Sequence, residues 1–112
     1  MEPSPQITYR GVDHSEALRA LIERESAKLD RFFNRITSRR VLVEHDPQLR
    51  EGAPFRVRID VVVPGHELMS DASEHDADVA VREAFRRARR RLKAYAARLV
   101  DSHVRPEKPI AR

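Results

Sequence analysis

The sequence predicts an α+β two-layer sandwich in the order β-α-β-β-β-α, a four-stranded sheet with two helices on one face. Three observations lead there. Two segments place apolar residues at three- and four-residue spacings, four short segments alternate apolar and polar residues, and turn-forming residues separate them. Strands that alternate have one apolar face to cover, and two amphipathic helices are the elements available to cover it.

Gln6-Ile7-Thr8-Tyr9 alternates ahead of Gly11 and reads as the first strand. The first helix follows. Asp13 or Ser15 can cap it, Glu16 stands three residues after Asp13 as in a capping box, and Leu18, Leu21, Ile22, Leu29, Phe32 and Phe33 form its apolar stripe. Residues 40–45 set Val41 and Val43 on one face and Arg40, Leu42 and Glu44 on the other, with Asp46-Pro47 closing the strand. The alternation is cleaner in residues 55–63, where Phe55, Val57, Ile59, Val61 and Val63 share a face until Pro64-Gly65 turns the chain. A short fourth strand spans residues 67–72. The last helix is expected over residues 76–100, capped by Asp76, with Ala77, Val81, Ala84, Phe85, Ala88, Leu92, Tyr95 and Leu99 as its buried stripe. Pro106 and Pro109 mark residues 101–112 as a polar, flexible tail beyond a single domain of residues 1–100.

A chain of 112 residues has room for one such domain. With aromatics at 5%, its core must be built mainly of Val, Ile, Leu and Ala. The absence of cysteine removes disulfides, thiolate nucleophiles and thiolate metal sites, and fits a reducing compartment. Met1-Glu2-Pro3-Ser4-Pro5 has neither the basic start nor the apolar run of a signal peptide, and no segment reaches membrane-spanning length, so the expected location is cytoplasmic.

Nothing in the sequence suggests catalysis. There are only three glycines and no phosphate-binding loop, nucleophile elbow or HExxH pair, and His14, His45, His66, His75 and His103 are scattered. His66-Glu67 and His75-Asp76, with Asp71, Glu74 and Asp78, are the only candidate for a hard metal site, and they read more simply as loop and helix-start residues. No enzyme activity, cofactor, metal or small-molecule substrate is expected.

The charge distribution is more informative than the net charge of +4. Between Ala84 and Val100 there is no acid, while Arg86, Arg87, Arg89, Arg90, Arg91, Lys93 and Arg98 fall in that stretch. On a helical wheel Arg82, Arg86, Arg89, Arg90 and Lys93 share the outward arc, and Arg87, Arg91 and Arg98 lie along one edge of the buried stripe, with no acid expected to balance them. The first helix also sorts its charges: Arg24, Lys28, Arg31 and Arg35 flank one side of its stripe, Glu16, Glu23 and Asp30 the other, and only Arg19 breaks the pattern. Cations suit the C-terminal end of a helix, but that effect is confined to the last turn. An arginine-rich stripe of this length is the footprint of a polyanion-binding surface, and structured RNA read by shape and backbone is the best match. Glu25, near the middle of the first helix's apolar stripe, is expected to snorkel or meet a basic neighbour.

The order of elements and the basic last helix resemble those of the ribosome hibernation promoting factors and ribosome-associated translation inhibitors, also called the sigma-54 modulation protein family. Ala27-Lys28-Leu29-Asp30-Arg31-Phe32 is similar to the family's A-K-L-E-K-aromatic segment. Asp76-Ala77-Asp78-Val79-Ala80-Val81 stands where the family has D-M-Y-x-A-I, and Arg87-Ala88-Arg89-Arg90-Arg91-Leu92 where it has K-L-E-R-Q-L. The chain departs from the pattern in replacing Met-Tyr by Ala77-Asp78, an acid by Arg89 and Gln by Arg91. The resemblance implies a fold similar to double-stranded RNA-binding domains and a short form of the family. It also implies binding to small-subunit rRNA in the decoding and tRNA channel of the small ribosomal subunit, and silencing of translation under stress. Resemblance and charge together select Lys28, Arg31, Arg86, Arg87, Arg90, Arg91 and Lys93 as phosphate contacts, with Arg82, Arg89 and Arg24 next. Two other functions stay open at this level: a generic structured-RNA binder, and an adaptor for an acidic protein such as a sigma factor.

Overall fold

The computed structural model describes residues 4–49 and 51–104, with side chains described as far as Leu99. Six elements follow one another: β1 (Gln6–Arg10), α1 (Glu16–Phe32), β2 (Ser38–His45), β3 (Phe55–Val63), β4 (His66–Glu74) and α2 (Ala77–Val104). The strands form one sheet in the order β1-β2-β3-β4. β1 runs parallel to β2, as the intervening helix α1 allows, and the remaining pairs are antiparallel. The β3–β4 hairpin closes over Pro64-Gly65, with Val63 opposite His66; proline fixes the first turn residue and Gly65 takes φ +81° at the second.

Register puts Val41, Val43, Val57, Ile59, Val61, Val63, Leu68 and Ala72 on the inner face, where they are buried. The helices cover that face with Leu18, Leu21, Ile22 and Leu29 from α1 and Ala80, Val81, Ala84, Phe85, Ala88, Leu92 and Tyr95 from α2. Small residues recur in the α2 stripe, which lets this helix lie close on β3 and β4. Tyr95 is also fixed by chemistry: its hydroxyl donates to the Pro64 carbonyl at 2.7 Å, and its ring meets Phe33 and His66 edge-on.

Ser15, and not Asp13, caps α1: its hydroxyl accepts the Leu18 N–H at 3.2 Å. Asp76 stands just before α2, and its carbonyl accepts the Ala80 N–H. Gly11 makes the β1–α1 turn possible. Its φ is +72°, and a Cβ there would lie 2.7 Å from the His45 carbonyl oxygen, so β1 and α1 are joined through a backbone approach that only glycine permits.

Several expectations need correction. β4 starts and ends beyond residues 67–72, because ladder pairing with β3 continues to His66 and Glu74. α2 continues through Val104, four residues past the expected boundary at Val100; the remainder of the proposed tail, with Pro106 and Pro109, lies outside the described residues. Phe32 is exposed at the last turn of α1, while Phe33, its C-cap, turns inward against Tyr95.

β2 also begins two residues earlier than residue 40, which brings Arg39 onto the inner face in phase with Val41 and Val43. Its guanidinium reaches the Asp30 carboxylate of α1 at 3.1 Å, with the two side chains only 2% and 12% exposed. Removing one partner from a buried pair costs about 3–5 kcal/mol, whereas replacing both by apolar groups of similar volume is often neutral. Arg39→Ala is therefore expected to lower unfolding free energy in urea by about 3–5 kcal/mol, and Arg39→Met with Asp30→Leu to recover most of it. A loss below about 1 kcal/mol for the single variant would show that the pair does not hold α1 to β2.

Candidate nucleic-acid interface

Every cation selected from the sequence is exposed on the helical layer: Arg24, Lys28 and Arg31 on α1, and Arg82, Arg86, Arg87, Arg89, Arg90, Arg91 and Lys93 on α2. Their placement follows from helix packing. Asp30 is drawn inward to Arg39, so the acidic edge of α1 faces β2 and its basic edge faces α2. Arg24 of α1 and Arg82 of α2 line the same groove between the two helices, over Leu18, Leu21 and Ala77. Helical repetition carries that arrangement along both helices, with Lys28 and Arg31 following Arg24, and Arg89 and Lys93 following Arg82. Arg86 and Arg90 crown α2. Arg87 and Arg91 lie toward its other edge, over β4, where the Arg87 guanidinium donates to the Asp71 carbonyl at 2.8 Å.

The expectation that no acid balances these cations is wrong for the first turns of α2. Glu83 accepts from Arg87 at 3.2 Å through one carboxylate oxygen and lies 3.2 Å from Arg86 through the other; Asp78 lies 3.5 Å from Arg82. The signal was present in the sequence as i,i+3 and i,i+4 spacing, but a count of acids starting at Ala84 leaves it out. On α1, Glu25 takes Lys28 at 3.2 Å, the basic neighbour expected for it, and Arg19 pairs with Glu23 at 3.1 Å. What is left is a graded surface. Among the described residues no acid is within pairing distance of Arg89, Arg90, Arg91 or Lys93, so the uncompensated charge is concentrated past the first two turns of α2.

The outer face of the sheet has the opposite character. Arg10 pairs with Glu44, Arg40 with Glu67, Arg56 with Asp71 and Arg58 with Asp60, four arginines against four carboxylates. On the inner side, burial of the Tyr9 phenol raises its pKa above the ordinary tyrosine value, Arg19 opposes this, and Glu16 and Glu23 add to it. A phenol that stays protonated does no acid–base work near neutral pH. Among the described residues no group of three or more His, Asp and Glu could hold a metal; His75 instead lies 3.3 Å from Asp76. No helix in this set is long and apolar enough to cross a membrane.

Fold and charge together define a small α+β sandwich whose unpaired cations are gathered on its helical layer. The sequence profile described as Sigma 54 modulation protein / S30EA ribosomal protein matches residues 6–100, and the chain belongs to this family of ribosome-associated proteins. Solved structures share the fold. A ribosomal subunit interface protein from Coxiella burnetii has a TM-score of 0.71 at 24% identity, with 82% of this chain and 96% of that one covered. The N-terminal domain of Protein Y from Thermus thermophilus has a TM-score of 0.69 at 22% identity, with 85% and 99% covered. Among curated proteins, none matches the chain.

Arg87 and Arg90 make a direct contrast. Arg87 braces α2 against β4 through Asp71, and Arg90 has no such contact among the described residues. Arg87→Ala is expected to lower stability by about 1 kcal/mol in urea denaturation, and Arg90→Ala to stay within about 0.5 kcal/mol of the parent. Equal effects would contradict the brace.

Proposed function

We propose that this protein binds the small ribosomal subunit through its helical layer, contacts small-subunit rRNA in the decoding and tRNA channel, and silences translation under stress as a hibernation factor. One observation carries the reading: Arg89, Arg90, Arg91 and Lys93 stand exposed on one helix with no paired acid among the described residues. Such a cluster repels itself in the free protein, and a lattice of phosphates relieves that repulsion while releasing condensed counterions. Arginine adds a planar fork that grips two phosphate oxygens at once or stacks on an unpaired base. Family membership supplies the ribosome as the structured RNA at hand. Such a protein works in the cytoplasm and needs no cofactor or substrate, since exclusion of mRNA and tRNA is steric.

The contacts divide by how freely each cation is offered. Arg89, Arg90, Arg91 and Lys93 of α2, with Arg24 and Arg31 of α1, form the primary set. Lys28 and Arg82 join by exchanging Glu25 and Asp78 for phosphate, and Arg86 stays paired with Glu83 beside them.

Purified protein is expected to pellet with isolated small subunits, and charge reversal at Arg89→Glu and Arg90→Glu to abolish pelleting while circular dichroism stays unchanged. Pelleting by that folded double variant would overturn the reading, and equal pelleting with large subunits and free structured RNA would reduce it to generic RNA binding. Six phosphate contacts predict a log–log salt dependence with a slope of about −5. A slope nearer −1 would point to a protein partner, whose interface depends less on counterion release.

A further inference from the structure

Glu83 is the only acid in the described structure that touches two of the candidate RNA-binding arginines. Its two carboxylate oxygens are divided between Arg86 and Arg87, each at 3.2 Å, and its side chain is only 22% exposed against 67% and 47% for the arginines. Arg87 is held a second time by the Asp71 carbonyl, so the carboxylate sits between a braced guanidinium and one that, among the described residues, it alone contacts. Exposed i,i+3 and i,i+4 pairs contribute little to stability, so this arrangement is poorly explained as a helix staple alone. Its effect on an incoming anion is larger. A carboxylate already on Arg86 occupies donors a phosphate would need, and it repels any phosphate approaching that turn of α2.

Resting on the reading of α2 as an RNA-binding helix, we propose that Glu83 is a specificity-determining residue, a built-in counter-ion that keeps Arg86 from flexible polyanions, while folded RNA is held by Arg89, Arg90 and Lys93 without drawing on Arg86. Free, flexible polyphosphate chains meet Arg86 with its donors occupied. An RNA whose fold presents several phosphates at fixed positions is held by the unpaired cations, and Arg86 stays on Glu83 within that complex. Glu83 therefore lowers affinity for non-specific anions more than affinity for the folded target, and discrimination arises from that difference.

The test uses the full chain and Glu83→Gln, which keeps the shape of the side chain and removes its charge. Binding to poly(U) at 100 mM salt is expected to tighten about threefold, the size expected of one unit charge several ångströms from a phosphate in a water-like medium. Binding to small subunits is expected to change less than twofold, so the ratio of the two affinities falls. Glu23→Gln removes an equal charge from a similar helical pair, on the side of α1 turned away from α2, and is expected to leave both affinities unchanged. In an Arg86→Gln, Arg87→Gln background the gain from Glu83→Gln should disappear, which separates a local effect from a general change in net charge. An unaltered poly(U) affinity in Glu83→Gln, or an equal gain in Glu23→Gln, would overturn the proposal. Should the parent protein fail to bind small subunits while Glu83→Gln still tightens poly(U), the ribosomal reading falls and the counter-ion role of Glu83 stands.

Discussion

A sheet that buries only one face dictates most of this molecule. Its strands alternate, so all their apolar side chains point to the same side, and both helices must lie there next to each other. A second layer on the outer face would require apolar residues where Arg40, Arg56, Arg58 and Asp60 stand. With both helices in one layer, each has an edge toward its neighbour and an edge toward the rim of the sheet. Which residues occupy those edges decides the electrostatic character of the molecule.

The sorting of charge on α1 follows from that constraint and from one buried contact. Asp30 pairs with Arg39 beneath the helix, which orients α1 with its acids toward β2. The opposite edge, carrying Arg24, is left toward α2, where Arg82 meets it across the groove. A pair buried for packing thereby also aims the basic edge. On α2 the equivalent sorting is incomplete, since Asp78 and Glu83 compensate Arg82, Arg86 and Arg87 and leave Arg89, Arg90, Arg91 and Lys93 without a paired acid among the described residues.

Much of this was legible in the sequence because it depends on periodicity. The alternation of Phe55–Val63, the stripe from Ala77 to Leu99 and the Pro64-Gly65 turn each reflect a local rule, and the element order followed from them. The exposure of the α2 cations was legible for the same reason. What could not be read was partnership across elements: nothing local to Arg39 says that it lies beneath Asp30, because eight residues, a turn among them, lie between the two and the strand begins before its apolar residues do. Glu83 differs, since its spacing to Arg86 and Arg87 is local, but it stands one residue before the acid-free stretch of α2 and so falls outside the charge pattern of that stretch. The Ala77-Asp78 departure from the family pattern also acquires a location, in the groove at the start of α2 beside Arg82.

The outer sheet face, with its four arginines matched by four carboxylates, has a consequence for how the protein meets a partner. A surface without net charge feels little pull in the field of a polyanion, while the helical layer behind it feels a strong one. On the proposed RNA-binding reading, the unequal forces act as a torque, turning the molecule helix-first while it is still separated from its target by water. Orientation is then largely settled during diffusion, and a greater share of collisions arrives in a productive pose than a uniformly basic protein of the same net charge would achieve. Neutrality on one side thus serves as a rudder for the other.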